Sequence, residues 1–139
     1  MRRTQFENSF TGAKYCITCA NGTDALQVAI IALVVGPVDE FITPGFSYIA
    51  TADSARLLET TPVLATLIPP PIVLSPISWT RPIMSRTPAI TPVLLHGQPA
   101  DFDHINEVAS AHGLPVIEDR VRSFGGSLHG RRSGNSSKI

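Results

Sequence analysis

Four short groups of residues in this chain combine types and spacings that could do chemistry. Cys16 and Cys19 stand three apart, the spacing of a redox or metal-binding pair. Asn21-Gly22-Thr23 opens an apolar helical stretch, where free backbone N–H groups, a hydroxyl and the positive end of a helix dipole suit a phosphate; the plainer alternative is that Thr23 only caps the helix. Tyr48 offers a ring that could lie flat against another planar ring, or simply pack. Asp119 ends the apolar run LPVIE, and a carboxylate buried there is costly unless it meets a cation. A protonated ring nitrogen would be such a cation, and Arg120 or Arg122 would be another.

These groups must be positioned by the elements around them. Phe6 and Phe10, four apart in FENSF, suggest a helix cut short at Met1. Lys14 to Ala20 reads as a strand, and Asn21-Gly22 as the turn after it. Asp24 to Val35 is apolar nearly all round, as in a helix buried within a larger protein, and Gly36-Pro37 ends it. Asp39 to Pro44 reads as a second strand, Ser47 to Leu58 as a second helix, and Val63 to Leu67 as a third strand. Pro69 to Pro92 holds seven prolines, and no helical or strand period survives through it. Periodicity returns in a strand from Ala89 to Leu95, then in a helix from Asp101 to His112 with Ile105, Val108 and Ala109 on one face and Gly113 as its C-terminal cap. Leu114 to Ile117 is a short apolar strand ending in Glu118-Asp119.

Strands alternating with helices, several of them apolar on both faces, imply an α/β fold with a mostly parallel sheet covered on both sides. Ligands of such sheets bind beyond the carboxyl ends of the strands. Those ends are Asn21-Gly22-Thr23, Phe46 to Tyr48, His96 to Pro99, and Glu118-Asp119 with the residues just after it.

Composition narrows the class of function. The 139 residues suit one domain, able to bury roughly two thirds of its extended surface. With 11 basic and 11 acidic residues the chain has no net charge, and Arg131-Arg132 is too short a run to attract nucleic acid or an anionic membrane. MRRTQFENSF lacks the apolar core of a secretory signal; Ala25 to Val38 is too short to span a bilayer, and Thr61 to Thr80 is broken by prolines. A soluble, cytoplasmic protein is expected. A structural zinc site needs four ligands, and no second CxxC or nearby His pair completes one around Cys16 and Cys19, which leaves no metal site and a packing role for the pair.

A phosphate cup, a stacking ring and a carboxylate for a ring nitrogen are the fixtures that pyridoxal 5'-phosphate requires, the carboxylate keeping the pyridine protonated as an electron sink. GAKYCITCANGTDALQVAIIAL, GPVDEFITPGFSYIATADSARLLETTPV, HGQPADFDHINEVASAHGLPVIED and SFGGSLHGRRSGNSS together resemble the sugar aminotransferases of the DegT/DnrJ/EryC1/StrS family. The resemblance covers most of the chain apart from Leu64 to Thr91 and implies part of the large domain of a type I (aspartate aminotransferase-like) pyridoxal-phosphate transferase. It implies that Gly22 and Thr23 hold the cofactor phosphate, that Tyr48 stacks on the pyridine, and that Asp119 pairs with its nitrogen. Arg122 stands where the family usually has glutamine or histidine near the ring hydroxyl.

The implied reaction moves an amino group, commonly from glutamate, to a keto-sugar nucleotide in surface polysaccharide or amino-sugar synthesis, in a homodimer. The only lysines are Lys14 and Lys138, and the resemblance places the Schiff-base lysine past Ile139, so no catalytic lysine is assigned here and the chain alone is expected to be inactive. The family's opening helices and its small C-terminal domain are expected to lie outside the chain as well. Arg120 and Arg122 are expected to compete with the pyridinium for Asp119. The rivals are a sugar dehydratase of the same fold, a non-catalytic truncated remnant, and a thiol redox protein built on Cys16 and Cys19.

Overall fold

A computed structural model of the chain describes residues 9–10, 12–65, 67–68, 73–74, 83, 85–94, 100–134 and 137. The expectations placed on Phe6, on His96 to Pro99, on Lys138 and on most of the proline-rich stretch lie outside the described residues. The described elements are α1 (Gly22–Ala32), β1 (Glu40–Pro44), α2 (Ala50–Arg56), β2 (Thr61–Ala65), the short β3 (Leu67–Ile68) and β4 (Val73–Leu74), β5 (Ala89–Ile90), α3 (Phe102–Ala111), and the small strands β6 (Ser127–Leu128) and β7 (Arg131–Arg132).

The central sheet runs in the order β2, β1, β5, every pair parallel. Parallel bridges from Ile90 to Val116 and from Val93 to Asp119 extend it by one more strand. The sheet therefore carries the last apolar strand two residues past Ile117, and Asp119 belongs to it: its N–H donates to Pro92 O at 3.1 Å, and its own carbonyl accepts from Leu94 N at 3.0 Å.

Alternation along each strand divides the core in two. Ile42, Ile90 and Val116 point to the face covered by Phe102, Ile105 and Ala109 of α3. Their neighbours Phe41, Ala89 and Ile117 point the other way, against Leu26 and Ile30 of α1 and Ala55 of α2. A sheet with helices on both faces is thus what the two-sided apolar strands imply.

Four expectations need correction. Lys14 to Ala20 is not a strand: it pairs with no strand among the described residues, and Tyr15 is 75% and Ile17 86% exposed. The first helix is not buried all round: only Leu26 and Ile30 are enclosed, while Val28 and Ile31 are more than half exposed. It stops at Ala32, short of Val35, because Leu33 caps it and Val34 turns into the left-handed region at φ 58°. The second helix starts at Ala50, not Ser47, which leaves Tyr48 in the loop before it. The strand expected from Ala89 to Leu95 shortens to Ala89–Ile90 with a single bridge at Val93; Pro92 has no N–H for a continuous ladder.

The other bounds hold to within a few residues, and α3 has the ends its sequence implies. Asp101 accepts from His104 N at its start, and Gly113, at φ +67°, follows its last turn.

Candidate functional site

The helices α1 and α2 both begin at the carboxyl edge of the sheet, beside the end of the strand that carries Asp119. Between them lies a cleft of about 320 Å³ lined by Gly22, Thr23, Tyr48, Thr51, Asp119 and Arg122 among others. Residues some 100 positions apart in sequence are therefore brought to one place.

The Asn21 turn sets the first wall. Asn21 Oδ1 accepts from Asp24 N at 2.9 Å, and its amide donates to Asp24 Oδ2 at 2.9 Å, so the helix start is closed by a reciprocal pair. The cap is Asn21 and not Thr23. Thr23 sits inside the first turn at the cleft wall, with its hydroxyl not spent on capping. Gly22 faces Val121, whose Cγ2 would lie 3.5 Å from a Cβ placed there.

The floor is Asp119, 9% exposed. Strand alternation explains its direction: Ile117 packs toward α1 and α2, so Asp119, two residues on, points to the same side. There Thr51 Oγ1 donates to Asp119 Oδ2 at 2.8 Å, and Val121 N makes a long contact of 3.5 Å to Oδ1. Thr51 escaped the sequence analysis. Its signal was position: it lies three residues after Tyr48, in the first turn of a helix starting at a strand end.

Neither arginine pairs with Asp119, which corrects the expected competition. Arg122 turns outward and places its guanidinium 5.8 Å from the Tyr48 ring centroid, and Arg120 points to the opposite side, 3.4 Å from Ser133 O and 5.1 Å from the Phe124 ring. Alternation separates Arg120 from the carboxylate, while Arg122 stands at the cleft rim beside Tyr48. Tyr48, 63% exposed, shows its ring to the cleft.

A polar and aromatic cluster backs the strand end on its other side. Glu118 Oε1 accepts from Gly134 N at 2.6 Å, and the hydroxyls of Ser123 and Ser133 lie 3.1 Å apart. Phe124 stacks on Phe10 at 5.0 Å, and Arg132 covers the Phe10 ring at 4.8 Å. Phe124 and Phe10 thus form a ring pair with the guanidinium of Arg120 at one end and of Arg132 at the other, which ties Phe10 to the β6–β7 hairpin.

Cys16 and Cys19 are free thiols away from the cleft lining, and Cys19 Sγ contacts Asn21 O at 3.2 Å. Among the described residues no cluster of histidine, cysteine or carboxylate could hold a metal, and no helix is long and apolar enough to cross a membrane.

Comparison with known proteins shows the family and the fold. The profile of the DegT/DnrJ/EryC1/StrS aminotransferase family matches residues 2–139, and the chain belongs to that family. It is 55% identical over 130 residues to the UDP-2-acetamido-2-deoxy-3-oxo-D-glucuronate aminotransferase of Pseudomonas aeruginosa, a match covering 94% of this chain and 36% of that protein. The fold superposes on DesV of S. venezuelae with a TM-score of 0.91 at 34% identity, over 94% of this chain and 35% of that one. NtdA of Bacillus subtilis, solved with bound cofactor PMP, gives 0.81 at 30% identity, over 86% and 27%. The fold is accordingly part of the type I pyridoxal-phosphate transferase large domain. The chain spans about a third of the length of the relatives it matches.

Proposed function

We propose that the chain forms the cofactor-binding part of a pyridoxal-phosphate-dependent aminotransferase acting on a keto-sugar nucleotide, with glutamate as the amino donor. The observation that carries this reading is the cleft itself. A buried carboxylate with one oxygen held by Thr51 and the other only loosely engaged faces a volume bordered by an exposed ring and a capped helix start.

Those residues fit pyridoxal 5'-phosphate. Gly22 and Thr23 would receive its phosphate through backbone N–H groups and the uncommitted hydroxyl. Tyr48 would cover one face of the pyridine, and Asp119 would hold the proton on the ring nitrogen, its orientation fixed by the Thr51 hydroxyl. Arg122 would bring a positive charge to the same rim, in reach of the ring's anionic oxygen or the phosphate, and its hold on Tyr48 is weak enough to release. When bound, the cofactor supplies an electron sink for proton transfer at the carbon that gains or loses the amine. Val121 and Leu26 give that end of the cleft an apolar wall.

The substrate class rests on the relatives, whose names include a UDP-linked keto-sugar aminotransferase at 55% identity; this favours amino transfer over dehydration. A role in amino-sugar or surface polysaccharide synthesis, a homodimeric whole protein and a cytoplasmic setting belong to the same proposal. So does the domain reading, in which this chain is a partial large domain and the lysine that carries the cofactor lies outside it.

Calorimetric titration with pyridoxal 5'-phosphate tests the cofactor half. Saturable binding that disappears in Asp119→Ala is expected, and binding unaffected by that substitution would overturn the assignment. An assay of the whole protein with glutamate and a UDP-linked 3-keto sugar tests the substrate half; absence of amino transfer would overturn it.

A further inference from the structure

The strand end at 118–122 is two-sided. Odd-numbered Asp119 and Val121 face the cleft, whereas Glu118 and Arg120 face the β6–β7 hairpin. On the hairpin side Glu118 binds the Gly134 N–H at 2.6 Å. Arg120 lies against Gly134 so closely that a Cβ at Gly134, itself at φ +90°, would come within 2.6 Å of Arg120 Nε. Ser133, 2% exposed, is fixed between them by Ser123 Oγ and by its own N–H to Gly126 O at 2.9 Å. The loop that returns from the hairpin is therefore pinned to the same few residues that carry the cleft carboxylate.

Past the ladder the strand end has little backbone support. The ladder secures it only as far as Asp119, whose amide and carbonyl are both paired, and Val121 N reaches no carbonyl, only the long contact to Asp119 Oδ1. Beyond that point a single turn, Ser123 N–H to Arg120 O at 2.9 Å, holds the backbone, and a side chain adding to that hold from the cleft side would block the cleft. The geometry points to Glu118, supported by Arg120, as a positioning residue. By clamping Gly134 on the far side it holds Asp119 and Val121 toward the cleft. This inference rests on the reading of the cleft as a pyridoxal phosphate site, and it assigns no contact between Glu118 and any ligand.

The role predicts a split between the two ends of the ligand. Losing the clamp should weaken the pyridine end, which depends on Asp119, and spare the phosphate end, which depends on Gly22 and Thr23. The test uses the full chain with pyridoxal 5'-phosphate and inorganic phosphate as separate probes, together with amide hydrogen exchange. Glu118→Ala is expected to speed exchange at Gly134 and to weaken pyridoxal phosphate binding about tenfold, the scale of one lost hydrogen bond to a charged acceptor. Inorganic phosphate affinity should stay within about twofold, well under the 1.4 kcal/mol of a tenfold change. Glu118→Gln, whose amide oxygen can still accept from Gly134, should restore both readouts to near the parent chain. Equal loss for the two probes, unchanged Gly134 exchange, or a Gln variant as weak as Ala would overturn the inference. If Glu118→Ala unfolds, the Gln variant and Gly134 exchange in the parent decide. A parent chain that binds neither probe overturns the cofactor reading instead, while Gly134 exchange still reports on the clamp.

Discussion

Asp119 shows how one residue's surroundings define its use. A carboxylate this enclosed is expensive unless its oxygens are satisfied, and here a neutral hydroxyl takes the place that the sequence suggested for an arginine. Thr51→Val removes that donor while keeping the shape, and leaves Asp119 Oδ2 unsatisfied. It is expected to destabilise the chain by about 1–3 kcal/mol, read from urea denaturation. Asp119→Asn keeps the packing and removes the charge that a ring cation would meet. It is expected to lose at least about tenfold in pyridoxal phosphate affinity while the thermal melt barely moves. Residue types at strand ends singled out Gly22, Thr23, Tyr48 and Asp119, and the fold brings all four to one cleft. The partner of Asp119 was not legible, because sequence proximity favoured Arg120 and Arg122, and only the fold shows that Arg120 points to the hairpin and Arg122 lies over Tyr48 at the cleft rim.

Elements were legible where their apolar pattern matched the faces they bury. β1 reads apolar on successive positions because both its faces are covered, and α3 shows its stripe because one side is solvent. Lys14 to Ala20 misled for the opposite reason: β-favouring residues declare a preference for extended backbone but not the presence of a neighbouring strand. The ends of α1 carry two predictions. Asn21→Ala removes the reciprocal cap and should cost about 1 kcal/mol in a thermal melt. At the other end Val34 holds φ 58° with its side chain 88% exposed, so a β-branched residue bears left-handed strain with no packing in return. Val34→Gly should therefore raise stability by about 0.5–1 kcal/mol in the same measurement, where an interior glycine would lower it.

At the scale of the molecule, the sheet supports two separate cores and places the cleft at the edge where α1 and α2 begin. None of the residues lining that cleft is a lysine, and Lys14 lies over the Tyr15 ring at 5.2 Å from its centroid. Borohydride treatment of the chain with pyridoxal 5'-phosphate is accordingly expected to leave no covalent cofactor on cleft residues, checked by peptide mass mapping. The cleft was legible as a set of strand ends but not as a volume, since its walls come from segments on either side of the proline-rich stretch, which sequence periodicity could not bridge.

β1 lies between β2 and β5, and its consecutive residues Phe41 and Ile42 feed opposite cores. Such a strand tolerates substitution better than it tolerates a change in length. Deleting one residue inside 40–44 would exchange the two faces, sending each side chain into the other core and shifting the loop that carries Tyr48. A deletion of the same size between Gly36 and Asp39 changes only a turn. Variation in length among related chains should therefore gather in such turns and stay out of this strand.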